Sequence, residues 1–151
     1  KKKVLKNDYK NKGNFPIISQ SKNLINGFTD DKSALTKILK PVTIFGDHTL
    51  ILKFIDFDFV VGADGVKILS SKNDYFKDKF FYYLLKNINI KSKGYSRHFT
   101  ELKRISLPYP DFETQKEIVE KLEQERKVIE GNKELIKIYE KKINDKIKEL
   151  F

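Results

Sequence analysis

Apolar positions change period along this chain, and each change marks a change of element. Residues 13–69 carry short β-branched and aromatic runs separated by Gly, Pro and Asp, the pattern of strands joined by turns. Gly13-Asn14-Phe15-Pro16-Ile17-Ile18-Ser19-Gln20-Ser21 reads as a turn feeding a short strand, and Pro16 suits a sheet edge. Residues 30–40 are expected to form a short helix stopped before Pro41. Firmer strands follow at 42–45, 50–54, 57–61 and 66–69, punctuated by Gly46-Asp47-His48, Asp56 and Ala63-Asp64-Gly65. From about Asp74 the stripe Phe76, Phe80, Phe81, Leu84, Leu85, Ile88 predicts a helix packed on the sheet, with Asn73 as its N-cap. A basic loop over 91–99 and a last strand around 104–107 complete the body.

Beyond Pro110 the pattern becomes heptad. Leu122, Ile129, Ile136, Ile143 and Leu150 recur every seven residues at one position of the repeat. The other seam position reads Ile118, Glu125, Asn132, Tyr139 and Lys146, only partly apolar, with Val128 and Leu135 widening the stripe. The assembly seam is therefore assigned to Ile118, Leu122, Ile129, Asn132, Ile136, Tyr139, Ile143 and Leu150. Thr114 and Glu117 have the spacing of a capping box. At about 1.5 Å per residue the tail reaches roughly 55 to 60 Å. That exceeds a body whose radius of gyration should be near ~13 Å, so part of the helix projects toward another helix. The fold class predicted is α/β: a small twisted antiparallel or mixed sheet with packed helices over 1–112, then one long C-terminal coiled-coil helix over 113–151.

Charge divides at the same place. Residues 1–112 hold 21 Lys/Arg against 11 Asp/Glu, whereas 113–151 hold 10 of each, so the chain's net charge of +10 sits on the body. That is the piece to suspect of meeting a polyanion. The 151 residues contain no Cys, which removes disulfides and thiolate metal sites and suits a reducing cytoplasm. No apolar run approaches the ~20 residues that span a bilayer.

Three polar segments could carry chemistry. Residues 91–99 combine Lys91, Lys93, Tyr95, Ser96 and Arg97 around Gly94, a mixture able to contact phosphates and base edges together. Arg97 has the planar fork that grips guanine O6 and N7, while Lys91 and Lys93 read as phosphate contacts. The plainer alternative is a solvated loop anchored by Tyr95 and Phe99. Ser19, Gln20 and Lys22 offer an amide able to read adenine beside a lysine, or an ordinary polar turn. Asp47 and His48 could form a dyad or begin a metal site, but two residues without further ligands fit a hydrogen-bonded turn better. His48 is kept as a DNA-contact candidate, and no metal, cofactor or catalytic residue is assigned. Glu125-Arg126-Lys127 after Pro110-Asp111 imitates a nuclease pattern but lies within a charged helix. The Asn-Pro-Pro-Tyr type of segment that adenine methylation requires does not occur.

Four ordered blocks give the chain a family likeness. They are Gly13-Asn14-Phe15-Pro16-Ile17-Ile18-Ser19-Gln20 with Ile25-Asn26-Gly27-Phe28; Ile44-Phe45-Gly46-Asp47-His48-Thr49; Gly94-Tyr95-Ser96-Arg97-His98-Phe99 with Leu102-Lys103; and Ile105-Ser106-Leu107-Pro108-Tyr109-Pro110 with Gln115 and Ile118-Val119. In these the chain resembles a target recognition domain of type I restriction-modification specificity subunits with its helical spacer. The resemblance implies a module that reads one half of a bipartite double-stranded DNA target. It also implies a long helix that pairs with its counterpart in a second recognition domain, and docking of N6-adenine methyltransferase subunits. S-adenosylmethionine, ATP and Mg²⁺ would then belong to partner subunits. A full subunit of this kind has two recognition domains; here there is one, as in a half subunit that dimerises, a fragment, or the recognition region of a fused N6-adenine methyltransferase. Two readings from other classes compete: a nuclease or methyltransferase acting alone, and a coiled-coil adaptor whose basic body meets an acidic protein.

Overall fold

Two sheets packed against each other form the body, and each buries side chains on both of its faces. The computed structural model describes every residue except 1, 2, 63, 64, 93, 95 and 151, and Asn73 by its backbone only. The strands are β1 (Phe15–Ile18), β2 (Gly27–Thr29), β3 (Leu35–Thr36), β4 (Val42–Gly46), β5 (Leu52–Ile55), β6 (Phe59–Val61) and β7 (Val66–Leu69). Helices follow as α1 (Asp78–Lys86), α2 (Phe99–Leu102) and α3 (Phe112–Lys148). One sheet runs β2-β1-β6-β3 and is mixed, because β1 pairs parallel with β6 and antiparallel with β2. The other, β5-β4-β7, is antiparallel.

Successive residues of a strand point to opposite faces, and here neighbouring positions join different cores. Ile18, with Ile44 of β4, Ile55 and Phe59, fills the layer between the sheets; Ile17, with Val60, Val4 and Ala34, fills the far face of the mixed sheet. Phe45, next to Ile44, points the other way onto Leu85 of α1 and Leu102 of α2. Burial on both faces explains why these strands read as continuous apolar runs. Each such Ile or Phe contributes about 1.5–3 kcal/mol by leaving water.

Several expectations are corrected. Residues 30–40 are not a helix: Asp31 accepts the Ser33 amide and closes a single 3₁₀ turn, Lys32–Ala34, after which β3 pairs with β6. A local side-chain turn and a ladder partner outcompete a short helix. Helix α1 starts at Asp78, four residues later than predicted, and Lys77, not Asn73, is its N-cap. Phe76 precedes the helix and stacks on Phe80 and Phe81. The strand expected at 104–107 is absent: the one-turn helix α2 occupies 99–102, and 105–110 forms no ladder. Pro108 and Pro110 cannot donate to one. Leu50 has φ 59° and closes the turn by donating its amide to Gly46 O, so β5 begins only at Leu52. Of the predicted Ala63-Asp64-Gly65 turn, the first two residues lie outside the described ones.

Helix α3 is capped by Asp111, not by a Thr114–Glu117 box. The Asp111 carboxylate accepts the Thr114 amide and hydroxyl, both at 2.9 Å, which places Thr114 inside the first turn. These hydrogen bonds hold the Asp111 pKa below the usual carboxylate value. Helix α1 packs on α3 near its start. From Gln124 to Leu150 every residue is exposed. The heptad seam therefore lies open on the described chain, with Ile136 56% and Leu150 75% exposed. No helix among the described residues is long and apolar enough to cross a membrane.

The two caps make different predictions. Asp111→Ala should fray the first turn and lower the thermal midpoint by a few degrees, whereas Glu117→Ala should leave it unchanged, as circular dichroism melts of both variants would show. Equal effects would restore the box.

Candidate nucleic-acid interface

The three polar segments singled out in the sequence are brought together by hydrogen bonds. The first is the loop after β1. The Asn26 side chain accepts the Ser19 amide (3.0 Å) and hydroxyl (2.8 Å), folding residues 19–26 back on themselves. Lys53 of β5 reaches under this loop. Its ammonium, on a residue only 5% exposed, donates to the carbonyls of Ser19 (2.8 Å), Asn23 and Leu24 (3.4 Å). These partners are neutral, and burial pushes the Lys53 pKa down to about 8. An ammonium has three donors, so one side chain fixes both ends of the segment that carries Gln20 and Lys22.

Gln20 joins this loop to the β4–β5 turn. Its Oε1 accepts the His48 amide at 3.2 Å, and its carbonyl accepts the Thr49 hydroxyl at 2.7 Å. The approach is possible because residues 46 and 65 are glycines. A Cβ on Gly65 would lie 2.4 Å from Gln20 Oε1, and one on Gly46 2.9 Å from Gln20 Cβ. The Nε2 of Gln20 is a donor, chemically suited to a purine N7 or a carbonyl.

Asp47 joins the turn to the third segment. It is 2% exposed, and its Oδ1 accepts the Phe99 amide at 2.8 Å while Lys67 lies 3.5 Å from Oδ2. Burial opposes the charged form, but the Phe99 amide and the Lys67 ammonium outweigh it and hold the Asp47 pKa below the usual carboxylate value. The Asp47 carbonyl accepts the His98 amide and faces His98 Nδ1, both at 2.9 Å. A carbonyl can only accept, so Nδ1 carries the proton, leaving Nε2 to accept the Ser96 hydroxyl at 3.3 Å. His48 Nδ1 donates to Ser96 O at 3.1 Å.

Of the predicted contact residues, Ser19, Gln20, His48 and Ser96 thus belong to one bonded network, each partly buried. Lys22, Lys91 and Arg97 are exposed around it. Lys93 and Tyr95 lie outside the described residues. The Asp47-His48 pair is a hydrogen-bonded turn, and no group of metal-binding side chains occurs among the described residues. Sequence reasoning missed Lys53 and the anchoring roles of Asp47 and His98. Strand alternation could have found Lys53, since it shares a face with the buried Ile55.

Comparison with known proteins places the chain in a family. The family model described as type I restriction modification DNA specificity domain matches residues 1–147. The chain is also similar to the EcoR124I/EcoR124II type I restriction enzyme specificity subunit of Escherichia coli, with 28% identity over 112 residues. That match covers 69% of this chain but only 28% of the subunit's length. No solved structure gives a significant match.

Two titrations check the anchors. The folded Lys53 loses its proton near pH 8 while an unfolded one keeps it to about 10.5, so wild-type stability relative to Lys53→Met should rise as pH climbs through that interval. The same variant should speed amide hydrogen exchange across 19–26 while leaving β4 protected. Asp47 follows the same sign at the acid end: the unfolded chain takes up its proton first, so the stability gap between wild type and Asp47→Asn should close as pH falls below 3.8. Denaturant melts across pH measure both.

Proposed function

The chain belongs to the type I restriction modification DNA specificity family, and we propose that its body reads one half of a bipartite double-stranded DNA target while α3 serves assembly. One observation carries this reading: three sequence-remote polar segments are bonded into a single surface, with Lys22, Lys91 and Arg97 exposed around it. A surface of this kind needs its backbone held still so that side chains meet base edges in register. In the proposal Arg97 and Gln20 contact bases, Lys22 and Lys91 contact phosphates, and His48 and Ser96 shape the site.

Catalysis is assigned to other subunits. N6-adenine methyltransferase subunits would supply S-adenosylmethionine chemistry, and a restriction subunit would use ATP and Mg²⁺. The exposed seam of α3 would pair with the helix of a second recognition unit, in a second copy or in the same polypeptide. Its equal acidic and basic content suits protein contact more than contact with phosphates.

Selection from a random duplex library, using the full chain with its methyltransferase subunits, should enrich one sequence. Arg97→Ala should then relax preference at one base pair, costing about 1–3 kcal/mol there. Lys91→Ala should weaken all sequences alike and reduce the salt slope by about 1. Equal binding to every duplex, lost at modest salt, would falsify sequence reading.

A further inference from the structure

Gln115 is the least expected buried residue of the chain. It sits in the first turn of a helix whose residues from Gln124 to Lys148 are all exposed, yet it is itself 0% exposed. All of its side-chain bonding atoms are engaged: Oε1 accepts the Lys77 amide at 2.9 Å, and Nε2 donates to Tyr75 O at 3.0 Å and Pro110 O at 2.9 Å. Lys77 is the N-cap of α1, where the structure supplies no side-chain cap, and Pro110 is in the segment that enters α3. One amide therefore ties together the start of α1, the approach to α3 and the first turn of α3.

A second tie lies eight residues further along. Glu123 accepts the Tyr83 hydroxyl and lies 3.5 Å from Lys79, joining α3 to α1 again. Between the two ties α1 packs on α3 beside an open cleft. Phe80, Tyr83, Leu84, Pro108, Ile118 and Leu122 line this cleft of about 910 Å³. That packing leaves the cleft unfilled, and the directional bonds of Gln115 and Glu123 add two fixed points between α3 and the α1 region.

The angle of α3 is consequential because the helix is long. Glu123 to Lys148 spans about 37 Å at ~1.5 Å per residue. A tilt of roughly 10° at the ties would move the far end by about 6 Å, nearly two base-pair steps of ~3.4 Å. Resting on the reading of α3 as the connection between two DNA-reading units, we propose that Gln115 is a positioning residue that fixes the spacing between the two half-sites the assembled protein accepts.

The chain has no cysteine, so two introduced ones label without background. Spin labels at Lys37→Cys on the body and Lys133→Cys on α3 should give a narrow distance distribution in the otherwise unaltered chain. Gln115→Met, which keeps the shape and removes the three bonds, should broaden it. In assembled protein the same change should reduce discrimination between correct and altered spacer lengths by about tenfold, with half-site affinity unchanged. If Gln115→Met does not fold, Tyr83→Phe, which removes only the hydroxyl bound to Glu123, should broaden the distribution in the same sense. An unchanged distribution overturns the lock. A broadened distribution with unchanged spacer discrimination makes Gln115 merely structural and overturns the specificity role. Wild-type protein indifferent to DNA sequence would instead overturn the DNA reading itself, and the spacing role with it, while the distance measurement still reports on the lock.

Discussion

The buried carboxylate of Asp47 is the interaction on which the arrangement of the body depends. A charge so removed from water is stable only when fully bonded, and Asp47 meets that demand with the Phe99 amide and Lys67. Satisfying it fixes where the chain returns after α1, since Phe99 begins α2, whose Leu102 packs on Phe45 and Leu85. The same residue uses its backbone to hold His98 and Gly65. Sheet, loop and helix thus meet at one side chain, and its loss would leave a buried amide and an ammonium without their acceptor.

Two buried amphoteric or charged groups extend that order in opposite directions. Lys53 carries it from β5 to the loop that presents Gln20, and Gln115 carries it from α1 to the long helix. Both act mainly on backbone carbonyls and amides. Backbone groups are present whatever the residue, so these anchors hold a path of the chain without specifying the side chains displayed along it.

The parts of the fold that were legible in the sequence are those written in local pattern. β4 and β7 are short runs rich in β-branched residues, and the α1 stripe and the heptads of α3 repeat often enough to declare a period. Convergence of the segments around Gln20, His48 and Ser96 was not legible, although each segment was singled out, because the bonds joining them span 28 and 48 positions. Where local rules competed, the sequence misled. Thr114 with Glu117 has capping-box spacing, but Asp111 lies one turn earlier and its carboxylate reaches both donors of Thr114. Asn73 is a good cap residue, yet the Lys77 position gains a tertiary partner in Gln115, which no local rule reports. The apolar-polar alternation at 104–107 joins neither sheet, although both are open at their edges.

This division between anchors and displayed residues bears on how such a module can change what it reads. Lys22, Lys91 and Arg97 are exposed and hold none of the bonds that fix the loops, whereas Asp47, Lys53, His98 and Gln115 are buried and hold them. Substituting an exposed residue of the first group costs little folding stability, because surface changes away from buried networks stay within about 0.5 kcal/mol. Substituting one of the second group disturbs several segments together, and those effects do not add. Recognition chemistry can therefore vary while the geometry that aims it stays constant. Gln20 is the exception that marks the boundary: it is only partly buried, and its Oε1 belongs to the scaffold through His48. A change there loosens the loop and, in the proposed reading, alters what is read as well, so variation at that position should be the most constrained of the surface.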